Sequence, residues 1–117
     1  LSYTTFQYGD IKTSATKVKR GDKLVFEIPV TNTGDRDGSE VVHWFISDPV
    51  CTISRPVKEL KHFEKQLIRK GETKTFSFEV DLLQDFGFVD SDGKRFLESG
   101  EYYVMVKDKK VTVELED

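Results

Sequence analysis

The fold of this chain is decided by one stretch, Asn32-Thr33-Gly34-Asp35-Arg36-Asp37-Gly38-Ser39-Glu40-Val41-Val42. It is a hydrophilic turn with two glycines, and it lies between two runs in which apolar residues alternate along the chain. Such a pattern predicts a strand, a loop with positive-φ positions that suit glycine, and a returning strand that forms a hairpin with the first. The stretch therefore indicates an all-β fold.

Alternation with a period of two continues along most of the chain. One face of a run holds Leu24, Phe26, Ile28 and Val30, a later face holds Phe76, Phe78 and Val80, and the last holds Val111, Val113 and Leu115. The run Glu59 to Ile68 is predicted to form one or two short strands. About seven strands separated by regular turn signals are typical of an immunoglobulin-like or fibronectin type III-like antiparallel β-sandwich.

The run Glu40 to Ser47 differs from the others because both of its faces are largely apolar. Val42, Trp44 and Ile46 share one face, and a sandwich of this type often buries an aromatic residue of its third strand. We therefore expect this face to lie in the core. Two apolar faces on one strand also predict burial on both sides.

The opposite face of the same run carries Val41, His43 and Phe45, which together form an apolar strip. An outward apolar patch commonly marks a partner surface. We expect this strip to dock on a neighbouring domain, together with Tyr3 and Phe6 near the start of the chain. The alternative is that a loop of the same domain covers the strip, in which case Phe45 would be fully buried.

Composition bounds the class of protein. The 117 residues suit a single domain over residues 1–117, and 37% hydrophobic and 12% aromatic residues are enough for a packed core. The 18 basic and 21 acidic residues are interspersed, which argues against a nucleic-acid partner. No apolar run is long enough to span a membrane. A single cysteine, Cys51, excludes an internal disulfide.

Catalytic and metal-binding patterns are not found in the sequence. The two histidines, His43 and His62, lie in predicted strands without a surrounding motif for a nucleophilic triad or a zinc site. Asp90-Ser91-Asp92-Gly93 resembles the start of a calcium loop, but Arg95 stands at the sixth position, where the loop needs glycine. We therefore predict no catalytic, cofactor or metal residue in this chain.

One alternative role for the aromatic residues is a sugar-stacking platform, since carbohydrate-binding modules stack rings on sugar faces. Most of the rings are expected in the core, because aromatic side chains supply the largest apolar area in a small sandwich. Tyr3, Tyr8 and Tyr103 are the rings expected at the surface. Three scattered tyrosines do not predict a binding platform.

Several motifs resemble the C-terminal fibronectin type III-like domain of family 3 glycoside hydrolases. The matching segments are Leu1-Ser2-Tyr3-Thr4-Thr5-Phe6, Asn32-Thr33-Gly34, Gly38-Ser39-Glu40-Val41-Val42, Asp48-Pro49, Arg55-Pro56-Val57-Lys58-Glu59-Leu60-Lys61 with Phe63, Gly71-Glu72 and Gly100-Glu101-Tyr102. Departures are modest: His43-Trp44-Phe45 stands where the family more often has Gln-Leu-Tyr, and Ser99 replaces a usual proline. The resemblance covers essentially the whole chain.

The resemblance implies a non-catalytic accessory domain, with residues 1–6 leading in from an upstream catalytic domain. Such a domain would pack on the catalytic domains of the same parent polypeptide, with a second subunit as a further candidate partner. The parent would be a retaining β-glucosidase or β-xylosidase, with both catalytic carboxylates outside this chain. A periplasmic or secreted location is favoured by the resemblance.

Two other function classes stay open at this point. One is a free-standing sandwich module for carbohydrate binding or cell-surface adhesion. The other is a hydrolase in its own right, which would turn over a chromogenic glucoside as the purified domain, a result that we do not expect.

Overall fold

A computed structural model describes residues 4–47, 59–89 and 91–116 and shows two packed β-sheets. The strands are β1 Phe6–Tyr8, β2 Lys12–Thr13, β3 Lys17–Lys19, β4 Leu24–Asn32, β5 Gly38–Ser47, β6 Glu59–Ile68, β7 Thr73–Val80, β8 Phe88–Val89, β9 Arg95–Phe96, β10 Gly100–Val106 and β11 Lys109–Glu116. One π-helical turn, Leu82–Phe86, follows β7. The predicted all-β sandwich is confirmed.

Each sheet has a clear strand order. In the first sheet β4 pairs with β7 on one side and with β1 and β2 on the other. The second sheet has the order β3-β11-β10-β5-β6, and its pairs are antiparallel except for β3 with β11. β7 therefore ends the first sheet and β6 ends the second. β8 and β9 form a separate small ribbon.

The hairpin predicted around Asn32 to Val42 is wrong, because β4 and β5 lie in different sheets. Both strands carry a continuous apolar face, and the two faces meet across the sandwich instead of side by side. The rings of Phe26 and Trp44 show this contact, with centroids 6.3 Å apart. The stretch is a crossover between sheets, and it closes the core at one end.

The positive-φ positions expected in this crossover are also not found. Among the described residues, the glycines with positive φ are Gly21, Gly71, Gly93 and Gly100. Gly34 is needed for a different reason, since a Cβ atom there would overlap the hydroxyl and backbone of Thr4. Gly34 thus allows Thr4 and Thr5 to approach the crossover closely.

Asn32 is the buried polar centre of the crossover. Its Oδ1 accepts hydrogen bonds from the Thr4 hydroxyl at 2.6 Å and from the Gly34 amide at 3.0 Å. Its Nδ2 donates to the carbonyl oxygens of Arg36 at 2.7 Å and Ile68 at 2.9 Å. All the hydrogen-bonding capacity of a fully buried amide is therefore used to tie three segments together.

The core lies between the two sheets, and the inward faces predicted for β4, β5, β7 and β11 are confirmed. Its largest fully buried side chains are Trp44, Tyr102, Phe26, Phe76 and Phe86. Several predicted features, namely Tyr3, Asp48-Pro49, Cys51, Arg55 to Lys58 and Asp90, lie outside the described residues. Within the described part of the chain, no helix has the length and apolar character that crossing a bilayer requires.

Candidate docking face

The outer face of the five-stranded sheet carries Val41, His43 and Phe45 of β5, which we call the β5 strip. Val41 and Phe45 are half-buried and His43 is exposed, so the strip is open to solvent without being fully exposed. Phe6 does not join it, because β1 belongs to the other sheet and the Phe6 side chain packs partly against the core. Tyr3 lies outside the described residues. The structure therefore brings together three of the five predicted docking residues, and their docking role stays a prediction.

Strand β6 lies beside the strip and extends its apolar character. In the register, His43 is opposite Phe63 and Phe45 is opposite Leu60. The His43 and Phe63 rings lie 6.4 Å apart between centroids. We call the outward apolar side chains of this strand the β6 row, which comprises Leu60, Phe63 and Leu67. They are 48%, 64% and 56% exposed, respectively.

A β-bulge places both ends of the β6 row on one face. Trp44 is paired with His62, and the next residue, Phe45, is paired with Leu60, so Lys61 is the extra residue. Without this extra residue, Leu60 and Phe63, which are three positions apart, would point to opposite faces. The bulge thus turns Leu60 outward beside Phe45.

The inward side of β6 is polar over most of its length. His62, Glu64 and Gln66 are half-buried and face β7, the last strand of the opposite sheet. The Ser77 amide donates to Glu64 Oε1 at 3.3 Å, and Gln66 Nε2 donates to the Thr75 carbonyl at 3.1 Å. These side chains reach backbone groups at the edge of β7, so they close the side of the sandwich.

Two further contacts hold this polar row in place. Gln66 Nε2 also donates to Glu64 Oε2 at 2.8 Å, which joins the two side chains to each other. The His62 ring stacks on Phe78, with centroids 5.0 Å apart and planes inclined by 11°. On β6, then, His62, Glu64 and Gln66 are more buried than the apolar side chains Leu60, Phe63 and Leu67.

Sequence reasoning found the apolar residues of β6 but did not assign them to a face. The spacing of Leu60, Phe63 and Leu67 fits neither strict period-two alternation nor a sustained helix. A single bulge between Leu60 and Phe63 would have restored the alternation. Even then, alternation would have favoured the core for the apolar side chains, so their outward position could not be inferred from the sequence.

A shallow cavity of about 300 Å³ lies along the β5 strip and is lined by Tyr8, Val41, His43, Phe45 and Lys107. The Tyr8 hydroxyl donates to Glu40 Oε2 at 2.8 Å. Lys107 Nζ lies 4.5 Å above the Tyr8 ring and 3.7 Å from Glu40 Oε2. Burial and the bond to Glu40 raise the pKa of Tyr8 above its usual value. The phenol therefore stays protonated as a donor.

A larger cavity of about 650 Å³ lies away from this face, where the β3–β4 turn meets the end of β7 and the π-helical turn. Its lining includes the apolar side chains of Leu24, Val80, Leu82, Leu83 and Leu97. Arg20, Asp22 and Glu79 are among its charged residues. The Leu83 side chain is 43% exposed there.

The described segments offer no cluster of metal-binding side chains. Residues 4–47, 59–89 and 91–116 contain no group of three or more His, Cys, Asp or Glu side chains that could hold a metal ion. His62 is engaged with Phe78, and His43 lies beside Phe63. Both histidines take part in ring contacts of the β-sandwich.

Comparison with protein families gives a match to the fibronectin type III-like domain over residues 40–110. Among sequence relatives, the chain is 39% identical over 106 residues to the periplasmic beta-glucosidase of Salmonella typhimurium. It is 44% identical over 108 residues to the beta-glucosidase of Kluyveromyces marxianus. Each alignment covers 91% of this chain but only 14% and 12% of the two relatives, respectively.

Solved structures agree with this picture. A β-glucosidase from Erythrobacter marinus superimposes with a TM-score of 0.92 and 36% identity, over 99% of this chain and 16% of the other. The Kluyveromyces marxianus enzyme, solved with glucose, gives a TM-score of 0.86 and 38% identity over 100% and 15%. The chain thus corresponds to a small part of these enzymes.

Proposed function

Because this chain belongs to the fibronectin type III-like domain family, we propose that it is the non-catalytic accessory domain of a family 3 glycoside hydrolase. It packs on the catalytic domains of a parent β-glucosidase and stabilises them. The observation that carries the proposal is that the similarity covers 91% of this chain but only 12–14% of the relatives. The relatives' remaining length leaves room for catalytic domains.

The chemistry of the parent is assigned to those other domains. Retaining hydrolysis of a β-glycosidic bond needs two carboxylates about 5 Å apart, one as nucleophile and one as acid and base. The family motifs present in this chain carry no residue in either role. We assign to this chain the supporting role, and to the catalytic domains the cleavage of the glycosidic bond.

The surface that would dock is the outer face of the five-stranded sheet. Val41, His43 and Phe45 of the β5 strip form a continuous patch with the β6 row. Contiguous exposed apolar side chains on one sheet face are typical of interaction surfaces. A second subunit of the parent is the other candidate for this contact.

Removal of the domain from the full-length parent tests the proposal. The parent and a version ending before residue 1 are compared in thermal unfolding and in hydrolysis of aryl β-glucosides. We expect the shortened protein to unfold at a lower temperature and to lose activity on heating sooner. Equal unfolding temperature and equal activity in both proteins would reject a stabilising role. The purified chain alone is expected to give no turnover.

A second candidate function is carbohydrate binding, and the cavity along the β5 strip favours it. Tyr8 and Phe45 supply rings there, and Lys107 supplies a hydrogen-bond donor. Rings beside polar groups are the usual components of sugar sites. Titration of the chain with glucose, xylose and cellobiose, followed by NMR shifts of these residues, tests it. Shifts that vanish in Tyr8→Ala would support binding, and unchanged spectra would reject it.

Location is proposed as periplasmic or secreted. One relative is named a periplasmic beta-glucosidase. We expect fractionation of the native cells to recover the full-length parent outside the cytoplasm. Recovery only with cytoplasmic marker proteins would contradict this assignment.

A further inference from the structure

We infer that the β6 row, more than the β5 strip, is the main contact with the rest of the parent polypeptide, and that it meets an apolar surface rimmed by carboxylates. The inference rests on the proposed function and adds the residues and the chemistry of the partner surface. Leu60, Phe63 and Leu67 form the centre of this contact, and Lys65 is the charged residue between Phe63 and Leu67.

The exposure of the β6 row is unusual within this domain. Of the described residues, the large hydrophobic side chains that are exposed are Leu60, Phe63, Leu67 and Leu83. Three of these four lie on one face of one strand. Isolated exposed apolar side chains are ordinary, but a row of three on a sheet edge is a liability unless something covers it.

The register of β6 cannot slip to hide this row. A shift by one residue would turn the apolar side chains inward and the polar ones outward. The inward polar side chains hold the present register, because Glu64 and Gln66 bond to the backbone of Ser77 and Thr75. Ile68, at the end of the strand, is fully buried and anchored through its carbonyl to Asn32. The fold thus fixes the apolar row in its outward position.

The positive charge of Lys65 on this face indicates the chemistry of the partner surface. Lys65 is exposed, projects on the same side as Phe63 and Leu67, and stands opposite Val41 in the register. His43 lies beside Phe63 on the neighbouring strand. An apolar row with a lysine inside it is complemented by an apolar surface that carries carboxylates.

The parent chain is a better occupant than a second copy of this domain. A face-to-face pair of β6 rows would bring two copies of Lys65 close together, and like charges oppose such a contact. The relatives that this chain matches have most of their length outside the aligned part. The parent therefore holds ample surface that is covalently linked to this domain, which raises its effective concentration at the row.

Thermal unfolding of variants in the full-length parent tests the inference. Phe63→Ser removes the aromatic ring of the row, which is its most exposed side chain. Lys65→Glu reverses the charge beside the row. Leu83→Ser is the matched control, since Leu83 is a large exposed hydrophobic residue outside the docking face. We expect each β6 variant to lower the unfolding temperature of the parent by several degrees and Leu83→Ser to leave it unchanged.

The outcomes separate this inference from the proposed function. If removal of the whole domain destabilises the parent but Phe63→Ser and Lys65→Glu behave like Leu83→Ser, the β6 contact is rejected and the accessory role stands. If removal of the domain has no effect, both are rejected. If the β6 variants instead convert a dimeric parent to a monomer at unchanged intramolecular stability, the occupant is a second copy and the inference is overturned.

Discussion

Strands β6 and β7 lie side by side at one edge of the sandwich and carry opposite patterns. β7 buries Phe76 and Phe78 and exposes Ser77, as a strand on a solvated sheet does. β6 half-buries Glu64 and exposes Phe63. β7 thus has the pattern of a strand that packs into the core of this domain, whereas β6 places apolar side chains on the outer face of its sheet, where we propose that another part of the parent contacts them.

The largest expected effect tests the core side of this comparison. Phe76→Ala on β7 should lower the free energy of unfolding of the chain by about 3–5 kcal/mol, because it leaves a cavity at a fully buried site. Urea unfolding followed by Trp44 fluorescence measures it. Phe63→Ala on β6 is the matched control and should cost about 0.5 kcal/mol or less. Similar losses in the two variants would remove the contrast between the strands.

Asn32 fixes the turn between β6 and β7 through its hydrogen bonds to Ile68, Gly71 and Glu72. Asn32→Ala should cost about 2–3 kcal/mol, because it removes the donor to the buried carbonyl oxygen of Ile68 and to the partly buried carbonyl oxygen of Arg36. Chemical denaturation of the chain measures the loss. Asp35→Ala, at an exposed position of the same crossover, serves as the control. A loss in Asn32→Ala no greater than in Asp35→Ala would contradict the role of the amide.

The polar inner row of β6 gives a smaller effect. Gln66→Ala should cost about 1 kcal/mol, since it removes the bonds to Thr75 and to Glu64. Amide hydrogen exchange in β7, at Ser77 in particular, should become faster. Lys65→Ala changes the outer face of the same strand and should leave exchange in β7 unchanged. Equal exchange in both variants would mean that the row does not close the sandwich.

The smallest effect is expected on the outer row itself. Leu67→Ser should change the free energy of unfolding of this chain by about 0.5 kcal/mol or less, because the side chain has few contacts to lose. Denaturant titration of the purified chain measures it. A loss comparable to that of Phe76→Ala would show that the row is packed within the domain, which the comparison of the strands denies.

Much of the fold could be predicted from the sequence, because period-two alternation reports directly on half-buried strands. The inward faces of β4, β5 and β7 followed from it. The pairing of β4 and β5 did not, since alternation gives the face of a strand but not its neighbour. The same connection, residues 33–37, suits a hairpin or a crossover between sheets, and contacts remote in sequence, such as that of Asn32 with Ile68, decide between them.

The candidate site was only partly predictable. The β5 strip followed from the alternation around Trp44, whereas the bulge at Lys61 interrupted the pattern on β6 and concealed its apolar row. The placement of Phe6 also failed, because its strand pairs with β4 in the other sheet. A bulge and a strand order both depend on the partner strand, so one segment read alone does not contain them.

The central claim is that the β6 row is covered in the intact parent enzyme. Hydroxyl-radical labelling followed by mass spectrometry measures the solvent accessibility of Phe63 in the full-length protein and in this chain alone. We predict that Phe63 is labelled several-fold less in the parent, while Leu83, outside the docking face, is labelled equally in both. Equal labelling of Phe63 in the parent and in the separate chain would contradict the claim.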